Sequence, residues 1–570
     1  MSIDTLFLAP IYLPLLAASL ILAAKAFAGE TVRKAFEILG FFIGLVLPAC
    51  ALLALMGAVW DHQSVETVIG AWETSLGIHY HFDGLSYLLI ALHLIVSIPF
   101  WLYSRHAGPK QNSFSVVFFV QCAAVAATSL TADLFNLFVC LEVMGITSYV
   151  LVASSEKDSS ALASFNYLIF SATAMVFFLL GTFGLYRITG SLSYEAIAAA
   201  KNNLGGNDLV VAQLSLVLIV ISTLLRSAVF PLHGWLVGAH SKAPHAVSAL
   251  LSGVLIKIPL FAHIRLLLLV VGSQRIGFTM AWAGGISSVV GILLALFEHQ
   301  AKRLLAYSSI SQIGYVVCTY GLAVKAGIET EKGALLLGIA LLYAFCHALA
   351  KALLFLTVGS ATDALCTKDL RKARGAIAAL RQQVERIPLT FICFIIATLS
   401  MTALPPTIGF MGKSTLLHLA KNHASVHLLT VTSVLTIVAY SKLALMFLPS
   451  KKALAVNNCC VVSKGMKLSY VLLALSILCG GFFYESILSF FVHILSPLSE
   501  AKGGYIAYYA YQNMGKTFVT LALAFIIIAV SRTTWVRNLT RSVTSKEVGF
   551  ADLFFGYALA IAFMAGNLLW

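Results

Sequence analysis

The stretch FNLFVCLEVMGITSYVLVAS, residues 135–154, is apolar over almost its whole length and carries one charge, Glu142, near its middle. It is long enough to cross about 30 Å of hydrocarbon as an α-helix, which takes roughly 20 residues. Comparable runs recur along the chain, at 6–26, 36–60, 83–104, 113–131, 133–153, 161–187, 209–235, 244–271, 277–297, 303–324, 334–359, 387–418, 427–448, 470–495, 516–531 and 552–569. Of the 570 residues, 60% are hydrophobic and 11% charged, where a soluble domain carries about 25% charged residues. Ten-residue blocks of alternating polarity, the mark of a membrane β-barrel, are missing. The reading is an all-α polytopic membrane protein of about sixteen crossings, about fourteen in the core and about two extra at the C-terminus.

Loops that follow odd-numbered spans hold most of the loop lysines and arginines, with dense clusters at 360–386 and 532–546. The loop at 61–82 has no Lys or Arg but carries Asp61, Glu66 and Glu73. Because basic loops stay inside, both termini are expected on the non-cytoplasmic side of a bacterial-type inner membrane. The same asymmetry accounts for the net charge of +14, and no nucleic-acid partner is expected. The motif AKAFAGE at 24–30 imitates a cleavage site, but MSIDTLF has no basic residue, so the first run reads as a retained span. Ten cysteines without a CxxC pair, including adjacent Cys459 and Cys460 in a predicted cytoplasmic loop, point to no metal, haem or disulfide framework. Phosphate loops, nucleophile elbows and zinc helices are also missing. No catalytic centre and no cofactor are expected in this chain.

Ionisable residues at membrane depth remain to be explained. Besides Glu142 they are Arg226 in VLIVISTLLRSAVFPLHGWL, Lys257 in LLSGVLIKIPLF, His347 and Lys351 in YAFCHALAKALLFL, and Lys413 in LPPTIGFMGKSTLL. A charge at the helix centre costs a few kcal/mol and normally faces protein or water, so it marks an ion or proton path. Any one of them could be a structural ion pair; six together are harder to assign that way. His347 and Lys351 lie four apart, on one helix face. Two spans also carry helix breakers: Pro231 in the seventh, and Pro405, Pro406 and Gly409 in the twelfth, just before Lys413. Broken helices survive in a bilayer where they line a cavity, although a proline kink can serve packing alone. Breaks five spans apart imply two repeats, spans 4–8 and 9–13. Each has an odd number of crossings, so the second is inverted. Three regions follow: 1–82, two helices and an external loop; 83–450, the core of helices 3–13; and 451–570, C-terminal helices expected to contact a neighbouring subunit.

The segments DLFNLFVCLEVMGITSYVLV, RSAVFPLHGWLVGAHSKAPHAVSALLSGVLIK, KRLLAYSSISQIGYV, HALAKALLFLTVG and LPPTIGFMGK together resemble the antiporter-like family shared by Mrp-type cation/proton antiporters, respiratory complex I and membrane-bound hydrogenases. DLFNLFVCLE is most similar to the D-type subunit of Mrp antiporters, whereas FPLHGWL followed by AHSKAP resembles the antiporter-like subunits of complex I.

The resemblance implies that Glu142, Lys257, His347 and Lys413 belong to a hydrated midplane axis, with Glu142 tuning a seventh-helix base and Lys413 beside the exit. An opposite charge holds a carboxylate ionised, and desolvation loosens a buried lysine's hold on its proton. The chain departs from the family in having Arg226 where a lysine is usual, and arginine does not release its proton. Val237 and Gly238 replace the usual Pro-Asp. Either Lys257 takes over protonation, with Arg226 a fixed countercharge, or the first half conducts poorly. The implied function is an ion-translocating subunit of a multi-subunit antiporter, carrying protons, with Na⁺ as the second candidate ion. The alternatives are a proton-pumping subunit of an NADH-quinone oxidoreductase or related hydrogenase, and a non-transporting scaffold. In the first two cases the partners are other membrane subunits.

Overall fold

A computed structural model describes residues 3–27, 29–69, 78–109, 112–155, 159–200, 203–262, 264–269, 273–382, 385, 387–421, 423–450, 462–495 and 511–531. Among these, twelve helices are long and apolar enough to cross a membrane. The first six expected spans correspond to Ala9–Phe27, Glu30–Ala54, Gly84–Ala107, Asn112–Leu130, Leu134–Ala153 and Ser160–Thr189. Spans 9, 10 and 11 are Ser273–Phe297, Ala301–Ala326 and Glu331–Ala364, and span 13 is Ser425–Ala444. Spans 10 and 11 are buried nearly all round, as befits helices at the centre of a bundle; span 10, rich in serine and tyrosine, is not one of the twelve. Spans 9 and 10 approach through glycines. A Cβ at Gly284 would lie 2.3 Å from the Cys318 nitrogen, and one at Gly314 2.5 Å from the Gly284 oxygen; small residues let membrane helices close to backbone contact.

Spans 7 and 12 are interrupted. Span 7 runs Gly206–Arg226 and resumes as Gly234–Lys242; span 12 runs Leu389–Met401 and resumes as Ile408–Leu419. Both helices end before their prolines, because a proline ring clashes with the carbonyl four residues back and lacks a donor. Two residues past each end stands an alanine with positive φ, Ala228 at 55° and Ala403 at 56°. The Val229 amide returns to the Leu224 carbonyl and the Leu404 amide to that of Leu399, which is the six-to-one bond of a Schellman ending. At Gly409, a Cβ would come within 2.0 Å of the Ser400 oxygen, so only glycine lets the second half of span 12 fold back so closely.

Span 8 is a chain of short pieces, His245–Leu250, a π turn at Leu251–Leu255, Ile258–Ala262 and Ile264–Leu269. The expected external loop at 61–82 contains a hairpin, Val65–Ile69 antiparallel to Ile78–Phe82. The run at 470–495, expected as one span, is two helices, Lys464–Phe482 and Tyr484–Leu495. Its first part ends where Gly480 and Gly481 press on Ile408 and Pro406 of the span 12 interruption. Residues 516–531 lie in the helix Tyr511–Ser531. The expected span 552–569, the basic loop 532–546 and the Cys459–Cys460 pair lie outside the described residues.

Candidate functional site

The interruption of span 7 leaves helix-end carbonyls to satisfy, and the sequence around it supplies donors. Trp235 Nε1 donates to the Leu225 carbonyl at 2.9 Å, and the Trp235 ring stacks on Tyr167 at 4.1 Å. Arg226, the last residue before the break, turns into the protein towards span 5 and is 4% exposed at the side chain. It donates from Nη2 to the Leu141 carbonyl at 2.8 Å, contacts Met175 Sδ at 2.8 Å and reaches Glu142 Oε1 at 3.4 Å. Gly145 makes the space, since a Cβ there would sit 2.6 Å from Arg226 Nη2. Glu142 keeps 29% exposure on a helix whose outward stripe is Phe135, Val139, Val143, Ile146 and Val150. The expected pair is present, but the backbone carbonyl holds the guanidinium more closely than the carboxylate does.

Lys257 is fully buried in span 8. The π turn explains how an ammonium fits there. Within it the Ile256 amide bonds to Leu251 and the Lys257 amide to Val254, so the carbonyls of Ser252 and Gly253 are left over. Lys257 Nζ takes both, at 2.6 and 2.9 Å. On span 11 stands His347, buried and with neither ring nitrogen hydrogen-bonded among the described residues. One turn on, Lys351 Nζ donates to the Leu305 carbonyl at 2.9 Å and to Ser308 Oγ. Ser308 also meets Tyr440 OH at 3.3 Å, and the ammonium lies 5.7 Å from the Tyr440 ring centre. His347 and Lys351 share a face as the spacing implied, yet their polar atoms are not bonded to one another among the described contacts.

Lys413 differs from the others. It is 2% exposed, and its Nζ has no hydrogen-bond partner among the described residues. Its neighbour is the Tyr315 ring, 4.6 Å away, a favourable seat for an ammonium. It lines a cavity of about 660 Å³ between the second half of span 12, span 13 and the helix Tyr511–Ser531. Pro231, Pro405, Pro406 and Gly409 all fall in or beside the two interruptions.

Several side chains of this system carry no clear signal in the sequence. Lys302 falls among the expected loop charges, but it is 4% exposed in the first turn of span 10, with Nζ on the Ala243 carbonyl at 2.7 Å and Ser248 Oγ at 3.2 Å. His240 is fully buried and stacked on Phe355 at 4.6 Å, with both ring nitrogens unbonded among the described residues. His245 Nε2 contacts Asp363 Oδ1 at 3.1 Å, joining span 8 to span 11. The one local signal is the density of polar residues in GAHSKAPHAVS beside the break. On the hairpin side, Arg265 Nη2 donates to Asp83 Oδ1 at 2.6 Å and Ser86 Oγ at 2.8 Å, tying span 8 to the start of span 3. No cluster of three or more metal-ligating side chains occurs among the described residues.

Residues 131–439 match the family model described as NADH:quinone oxidoreductase/Mrp antiporter, transmembrane. The chain is 32% identical to NADH-quinone oxidoreductase subunit N of Desulforudis audaxviator, over 65% of this chain and 74% of that one. It is 28% identical to the D-type subunit of the Na⁺/H⁺ antiporter of Alkalihalophilus pseudofirmus, over 77% and 87%. Its fold matches a chain of the Mrp complex from Dietzia sp. DQ12-45-1b with a TM-score of 0.75 at 22% identity, covering 88% of this chain and 98% of that chain. The chain belongs to the family of membrane subunits shared by quinone oxidoreductases and Mrp antiporters.

Proposed function

We propose that the chain is the ion-translocating subunit of a multi-subunit monovalent cation/proton antiporter in a bacterial cytoplasmic membrane, with both termini outside. The proton path runs along Lys257, His347, Lys351 and Lys413, and spans 4–8 and 9–13 form its two inverted halves. Residues 1–82 and 451–570 flank that core, the latter towards a neighbouring subunit. Glu142 and Arg226 supply a fixed pair at the edge of the first half. The observation that carries this reading is Lys413: a buried amine without a hydrogen-bond partner among the described residues, beside a cavity and an interrupted helix. Lysine exchanges a proton readily, and the broken helix gives it room to change partners.

Transport by the whole complex in membrane vesicles tests the proposal. Lys413→Ala is expected to abolish cation-driven proton movement while the complex still assembles; wild-type rates would remove Lys413 from the path. A second reading, a proton-pumping subunit of a quinone oxidoreductase, draws on the relative named NADH-quinone oxidoreductase subunit N. Purification in mild detergent separates the two. The antiporter reading expects other membrane subunits without iron–sulfur groups to accompany the chain, and iron–sulfur partners would favour the second.

A further inference from the structure

The cavity beside Lys413 has a wall that the repeats do not supply. The helix Tyr511–Ser531 packs along span 13 and closes one side with Lys516, Thr517, Thr520 and Leu523. Across from it, span 12 contributes Lys413 at depth and, further along the chain, His418 and Lys421. Lys413 is buried, whereas the lining cations His418, Lys421 and Lys516 are exposed. The remaining polar lining consists mainly of serine and threonine hydroxyls, and no carboxylate lines the cavity among the described residues.

We propose that Lys516 and Lys421 form a cationic collar at the mouth of this cavity, and that the C-terminal helix thereby decides what reaches Lys413: water and protons enter, alkali cations do not. The inference rests on the reading of Lys413 as a transporting residue. Pores for cations are ringed by Asp and Glu, those for anions by Arg and Lys. A cleft lined by one sign of charge shifts the local concentration of small ions by about tenfold or more. Protons are not excluded in the same way, because they can pass along water and a titrating amine without a resident cation. If the complex exchanges Na⁺, the sodium ion crosses somewhere other than this cavity.

Thiol labelling tests the collar without requiring transport. Thr520→Cys is introduced into the full chain within its complex, in native membranes. Modification of residue 520 alone is then followed by peptide mass spectrometry, with the anionic sulfonatoethyl and the cationic trimethylammonioethyl methanethiosulfonates. The anionic reagent is expected to react faster by about tenfold, after correction for their rates with a free thiol in solution. Adding Lys516→Glu should remove or invert that preference, and Lys421→Glu, on the opposite wall, should reduce it. A preference untouched by either charge reversal, or an introduced thiol that reacts with neither reagent, would overturn the collar. Labelling as expected alongside wild-type transport in Lys413→Ala would leave the collar standing and dismiss the transport role of Lys413.

Discussion

Where the first half of span 7 ends, the amides of Ser227, Ala228 and Val229 return to the carbonyls of Thr223, Leu225 and Leu224; where the first half of span 12 ends, those of Thr402, Ala403 and Leu404 return to Thr398, Ser400 and Leu399. The offsets are the same, and so is the placement of a left-handed alanine two residues past the end and a proline five residues past it. The side chains diverge. The first ending carries Arg226, pinned by the Leu141 carbonyl and near Glu142; the second carries Met401, and its cation, Lys413, waits in the following half-helix without a hydrogen-bond partner among the described residues. One backbone device thus serves two electrostatic arrangements. An arginine that is always charged and held by backbone suits a fixed countercharge. A lysine facing open volume suits exchange.

The largest effect is expected at Lys257, which would break the comparison if it were dispensable. Lys257→Gln keeps a donor for the Ser252 and Gly253 carbonyls but cannot titrate. Proton flux in vesicles should fall by about a hundredfold or more, with the complex still assembled. Undiminished flux would mean that the first half is not part of the path.

A second prediction sharpens the account of Arg226. Arg226→Ala should cost about 3 kcal/mol in thermal unfolding of the purified complex, because Glu142 and the Leu141 carbonyl both lose their partner. Glu142→Gln should cost less, since the carboxylate is partly exposed and the contact is 3.4 Å long. The double variant should be less damaged than the sum of the two. Strict additivity would show that the charges do not interact.

The smallest effect is expected at Asp83, the cap that precedes the span 3 helix on the hairpin side. Burial pushes its carboxyl up, but the Arg265 guanidinium and His81 outweigh burial and hold it well below the usual carboxylate range. A depressed value means stability that is present above the unfolded value near 3.9 and lost as pH falls towards the folded one. Asp83→Asn keeps an N-cap of equal quality and removes only the charge. It should cost about 1–2 kcal/mol at neutral pH, and the gap to wild type should close as pH drops well below about 4. A gap independent of pH would mean that the Asp83 charge is not what stabilises this end of span 3.

Most of this frame is legible from residues in line. Glu142, Lys257 and Lys413 stand out because a charge inside twenty apolar residues has no cheap alternative, and both interruptions are signalled by proline. Their exact positions are not, because the helix stops where its carbonyls find other donors, several residues before the ring. Lys302 is hidden for a related reason: a Lys-Arg pair at the start of a span looks like a loop, and only packing shows that the Ala243 carbonyl and Ser248 draw the lysine inside. The split of 470–495 depends on Gly480 and Gly481 meeting the span 12 interruption, a contact between segments about seventy residues apart in the chain. Gly145 is invisible in the same sense, since its role is the space it leaves for Arg226.

Exchanging the two cations tests the central claim most directly. With assembly matched by immunoblot, proton flux is compared in vesicles carrying Lys413→Arg or Arg226→Lys. A fixed charge at Arg226 and a titrating one at Lys413 predict that Lys413→Arg stops transport although the positive charge is kept, and that Arg226→Lys continues to transport. Flux through Lys413→Arg, or its loss in an assembled Arg226→Lys complex, would contradict the assignment.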